Sequence, residues 1–73
     1  MIKNKKDKDQ YGRIVNSTEV KVLDTPEAGA PFICQLSAGK RVKIVSKPNK
    51  NFVGIQISPS VYGFVKKEFI KAE

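Results

Sequence analysis

Leu36-Ser37-Ala38-Gly39-Lys40-Arg41-Val42-Lys43-Ile44-Val45 is the stretch whose reading decides the fold. Leu36 ends one apolar alternation, Gly39 supplies the backbone freedom of a tight turn, and Val42 and Ile44 resume the alternation. With Arg41 and Lys43 on the opposite side, the segment after the glycine has the period-two pattern of a half-buried strand. The stretch therefore predicts a bend, a register and an inward face, and by itself assigns no chemistry.

The same pattern recurs outward from it in short pieces. Residues 12–16 read as a first strand with Ile14 inward, 16–18 as a turn, and 19–24 as a second strand with Val20 and Val22 inward and Glu19, Lys21 and Leu23 outward. Residues 24–31 hold two prolines, a glycine and two alanines, which no regular strand tolerates, and so form a long surface loop. Residues 32–36 return as a third strand, with Phe32, Cys34 and Leu36 on one face, and 40–46 follow as the fourth. After a turn at 47–51, residues 52–58 make a fifth strand with Val53, Ile55 and Ile57 inward. A turn at 58–60 leads to a sixth, 61–65, in which Gly63 allows close backbone approach. Residues 66–70 are too few for a stable helix; one helical or 3₁₀ turn and a last short strand tuck Phe69 and Ile70 beneath the rest.

Residues 1–11 carry no helical or strand period and are nearly all polar, which predicts a flexible basic arm rather than part of the packed domain. The arm is either a strap held by a partner or a solubilising tail. The expectation is thus an all-β chain: an arm over 1–11, then a small, partly open barrel of five or six strands over 12–73. Its core is Ile14, Val20, Val22, Phe32, Leu36, Val42, Ile44, Val53, Ile55, Ile57, Val65, Phe69 and Ile70.

Seventy-three residues make one domain at most, with a core near the lower limit of sufficiency. Fourteen Lys and Arg against seven Asp and Glu leave a net charge of +7, which permits an acidic protein face, a polyanion or an anionic envelope as partner. The single cysteine, Cys34, excludes an internal disulfide, and with no histidine in the chain it reads as a small buried hydrophobe. The same composition leaves no ordinary zinc site, no base to activate Ser58 or Ser60, no carboxylate pair spaced for acid–base work and no glycine-rich phosphate loop. No enzyme activity and no cofactor are expected. The first ten residues have the lysines of a secretory leader without the apolar run that must follow, and no stretch is long enough to span a membrane. The expected location is therefore cytoplasmic, or assembled in a phage-like particle.

From Gly12 to Ile70 the chain resembles the bacterial Src-homology-3-like (SH3-like) domain family. Val20-Lys21-Val22 is similar to that family's strand before its long loop, in which Pro26 stands at a usual proline. Leu36, Gly39, Val42 and Ile44 match its central hairpin, and Gly63-Phe64-Val65 followed by Phe69-Ile70 resembles its closing segment. The resemblance implies a small barrel and, for most family members, a targeting module that binds cell-wall peptides in an aromatic-walled groove. The chain departs from the family in lacking tryptophan and in lacking the asparagine and arginine usual around the second strand, with Leu23 near the arginine's place, and the domain is expected to stand alone, without a catalytic partner.

These readings place a recognition surface on Tyr11, Phe52, Tyr62 and Phe64, with Lys66 and Lys67 beside them and Lys3, Lys5, Lys6 and Lys8 on the arm. Each also has a purely structural reading: Phe52 capping the barrel, Tyr62 lying flat on a strand, Lys66 and Lys67 forming a solvated turn. The function expected first is a non-catalytic structural module, docked by its arm on a larger assembly such as a capsid or phage tail. A cell-wall peptide module comes second. A nucleic-acid-binding barrel comes third, because the lysines are scattered along the chain rather than clustered.

Overall fold

A computed structural model describes residues 9–73; Lys3, Lys5, Lys6 and Lys8 lie outside the described residues. The described chain is all-β. Its strands are β1 (Gln10–Ile14), β2 (Glu19–Leu23), β3 (Phe32–Ser37), β4 (Arg41–Ser46), β5 (Phe52–Ser58), β6 (Val61–Lys66) and β7 (Ile70–Ala72), with a 3₁₀ turn over Lys67–Phe69. They form one antiparallel sheet in the order β3-β2-β6-β5-β4-β1-β7. The count exceeds the expected five or six because the closing strand after the 3₁₀ turn pairs fully with β1, Gly12 facing Ala72 and Ile14 facing Ile70.

The turn at Gly39 is real, but it does not make a hairpin. Gly39 has φ of 85°, and the Lys40 N–H donates to the Ser37 carbonyl at 3.1 Å. The strands on either side of it are nevertheless not neighbours: β3 and β4 stand four places apart in the sheet order. In a flat sheet that separation is about 19 Å, at about 4.8 Å per strand. The four peptide steps from Ser37 to Arg41 span at most about 14 Å. The sheet therefore has to curl until the end of its first strand comes within reach of the start of its fifth, which gives a barrel-like shape that remains unclosed, since β3 and β4 do not pair. The corner rests on the β1–β2 junction, with Gly39 N–H donating to the Ile14 carbonyl at 2.8 Å and Ala38 N–H to the Thr18 carbonyl at 3.0 Å.

Curling brings the alternating apolar faces together. Ile14, Val20, Val22, Leu36, Val42, Val53, Ile55 and Val65 form one buried cluster, with Cys34, Ile44, Ile57, Phe69 and Ile70 packed against it. Phe32 is the exception among the expected core residues. The β2–β3 register slips between Val22 and Leu23, and the extra residue of this bulge breaks the period-two count that runs back from Leu36 through Cys34. Phe32 is consequently 51% exposed, with the Lys21 ammonium 4.8 Å from its ring centroid. Ile33 beside it is also exposed, at 44%, with only its Cδ1 lying close to Gly63.

Two other expectations change. Gln10 and Tyr11 belong to β1, facing Ile44 and Lys43, so the division expected between residues 11 and 12 falls inside a strand. Phe52, expected outward and accessible, is only 5% exposed, yet it lies outside the main cluster. It is buried on the face of β5 opposite Val53.

Gly63 has no room for a side chain: a Cβ there would run into Val22 Cγ1 and lie 3.1 Å from the Leu23 carbonyl oxygen. We expect Gly63→Ala to cost about 1–3 kcal/mol, read as a lower urea midpoint at unchanged slope. Removing residues 1–11 should likewise lower the midpoint relative to a chain starting at Asp9, because it takes Gln10 and Tyr11 out of β1.

Candidate functional site

Residues directly opposite each other on antiparallel strands project to the same side. On β5 and β6, Phe52 faces Lys66, Gly54 faces Phe64 and Gln56 faces Tyr62. Four of the residues singled out from sequence, Phe52, Tyr62, Phe64 and Lys66, thus share one outer face. The face continues across β4 and β1, since Lys43 faces Gln56 and Tyr11 faces Lys43. Tyr62, Gln56, Lys43 and Tyr11 form a single row over four adjacent strands, about 14 Å from end to end at the usual strand spacing.

Arg41 completes the row. Its guanidinium carbon lies 4.0 Å from the centroid of the Tyr11 ring, a stacking that holds both side chains in place. Glu73 fixes the other side of the guanidinium, its carboxylate accepting from Arg41 Nε at 3.0 and 3.1 Å and lying 3.2 Å from Arg13 Nε. Lys43 Nζ is 3.3 Å from Asp9 Oδ1. These are exposed pairs, worth about 0–1 kcal/mol each, so they orient the side chains more than they stabilise the fold. Tyr11, Arg41, Lys43, Gln56, Ser58 and Pro59 line an open groove of about 440 Å³, and Tyr62, 54% exposed, stands at the Gln56 end of the row.

Phe52, Lys66 and Lys67 meet elsewhere. With Ala28, Lys50 and Asn51 they line a second cavity of about 630 Å³, in which buried Phe52 is floor and the lysines are rim. Asn49 builds this corner. Its Oδ1 accepts from the N–H groups of Asn51 at 2.9 Å and Phe52 at 3.0 Å, and its Nδ2 donates to the Pro26 carbonyl at 3.2 Å. One side chain therefore closes the β4–β5 turn and ties the 24–31 loop to it, bringing Ala28 to the same cavity as Phe52. Phe64 is half-buried, its ring edge over Gly54 where a Cβ would have only 3.2 Å; it packs the face as much as it presents it.

The structure thus divides the expected site residues between two neighbouring places and adds Arg41, Lys43, Gln56 and Asn49. Outward alternation marked Arg41 and Lys43 in the sequence; their junction with Tyr11 depended on register. Among the described residues no three His, Cys, Asp or Glu side chains come together as metal ligands would, and no helix is long and apolar enough to cross a membrane. Compared with protein-family models, curated proteins and solved structures, the chain matches none.

Asn49→Asp keeps the acceptor for Asn51 and Phe52 and loses the donor to Pro26, whereas Asn49→Ala loses both. We expect Asn49→Ala to destabilise by about 1 kcal/mol and to speed amide exchange at Asn51 and Phe52, with Asn49→Asp leaving those two amides protected.

Proposed function

We propose that this chain is a non-catalytic docking module that attaches to a larger protein assembly, as a small capsid or tail component of a phage or phage-tail-like particle. The observation that carries the reading is the row Tyr62–Gln56–Lys43–Tyr11 with Arg41 stacked on it. Tyrosine buries large area at little conformational cost, and tyrosine and arginine both recur as interface anchors. Held on paired strands, they form a preorganised contact strip. A net charge of +7 favours an acidic face on the partner and speeds the encounter. The resemblance to bacterial SH3-like domains, which are mostly targeting modules, supports the same class of role, and Lys3, Lys5, Lys6 and Lys8 on the arm add positive charge to the encounter.

A second reading, a module for cell-wall peptides, draws on the groove beside Tyr11, which has the dimensions of a small-ligand site and two cations for peptide carboxylates.

The experiment is untagged purification from the source, with sedimentation against intact particles and against purified peptidoglycan. Under the first reading the protein travels with particles, and Tyr62→Ala and Lys43→Glu each lower the retained fraction at least tenfold, about 1.4 kcal/mol. Retention on peptidoglycan alone supports the second reading. Retention on neither, or retention indifferent to both substitutions, removes the proposed strip.

A further inference from the structure

One end of the sheet is unguarded. β3 is an outermost strand, and its six residues, Phe32–Ser37, include no charged side chain. Among the strands of the described residues only β5 shares that property, and it lies inside the sheet. Edge strands are ordinarily blunted by brevity or by charge, as at the opposite edge, where β7 has three residues and carries Lys71. The β3 edge also exposes Phe32 at 51% and Ile33 at 44%.

Its free backbone groups follow from one hydrogen bond. Ala38 N–H donates to the Thr18 carbonyl, and Val20 and Val22 face Leu36 and Cys34. By the alternation of an antiparallel ladder, the peptide groups of Leu36 and Cys34 turn toward β2, and those of Gln35, with the Ser37 N–H and the Ile33 carbonyl that lies trans to the Cys34 N–H, turn away from it. They have no strand partner among the described residues.

We propose that this edge pairs with β3 of a second copy of the chain, antiparallel about a two-fold axis at Gln35. Pairing on that axis sets Gln35 against its own copy, Leu36 against Cys34 and Ser37 against Ile33, and forms about four new backbone hydrogen bonds. The charge pattern selects this occupant. A charged partner strand gains nothing from a neutral edge. A strongly cationic chain, by contrast, meets its own copy without opposed like charges only along a strand that carries none. Two amides facing across the axis both donate and accept. The pairing continues two seven-stranded sheets as one and is independent of whatever binds the aromatic and basic row.

Sedimentation of the full chain from micromolar to millimolar concentration tests it, and the expected result is a monomer–dimer equilibrium. Gln35→Glu places a carboxylate opposite Lys21 of the same copy, which favours the folded chain, and sets two carboxylates against each other across the axis. This variant should show an unchanged β-sheet circular dichroism spectrum and remain monomeric throughout. In a Cys34→Ser background, Gln35→Cys should cross-link under mild oxidation, since directly opposed Cα atoms about 5.5 Å apart suit a disulfide, and Lys71→Cys on the other edge should not. A wild-type chain that stays monomeric at every concentration, a dimer untouched by Gln35→Glu, or equal cross-linking at both edges would overturn the proposal.

Discussion

The shape of this protein depends on a connection that is too short. Ala38, Gly39 and Lys40 join two strands that lie four places apart in the sheet, and the reach of the chain leaves the sheet no option but to curl. Gly39 in its left-handed conformation makes the corner sharp, and the hydrogen bonds from Gly39 and Ala38 to Ile14 and Thr18 anchor it. Everything else answers to that curl. It encloses the valines and isoleucines, forces the close passage of β2 over Gly63, and sets the outward side chains of β1, β4, β5 and β6 on one continuous surface.

The division of labour between the two faces is clean. The inner cluster is entirely aliphatic, and no side-chain nitrogen or oxygen is left buried without a partner among the described residues. The polar and aromatic chemistry is carried outside, where ion pairs such as Arg41 with Glu73 are cheap to make and cheap to exchange. A surface of this kind is suited to contacts that form and break with a partner. Asn49 shows how it is kept in order: three hydrogen bonds from one side chain hold a turn and a long loop together at the rim of the second cavity.

The two ends of the sheet differ in the same spirit. β7 is short, charged and drawn against β1 by the 3₁₀ turn before it, while β3 is longer and neutral. The bulge that turns Phe32 outward lies at the start of this neutral strand. Bulges ordinarily twist an edge away from further pairing; here the bulge occupies one end only and leaves Gln35 to Ser37 regular.

Alternation alone determined the strands, their inward faces and nearly all of the core, because a side-chain period of two is a local property that burial enforces one strand at a time. It also determined that Gly39 turns the chain and that Arg41 and Lys43 point outward. Tertiary structure decided what no local pattern encodes: that β3 and β4 part company at Gly39, that a slipped register expels Phe32, that Tyr11 is strand rather than arm, and that the 24–31 loop, tied down through Asn49, belongs to the corner in which Phe52 is buried. Each of these depends on which strand lies beside which and at what offset. That choice is made by the closure of the whole sheet, through contacts between residues far apart in the chain.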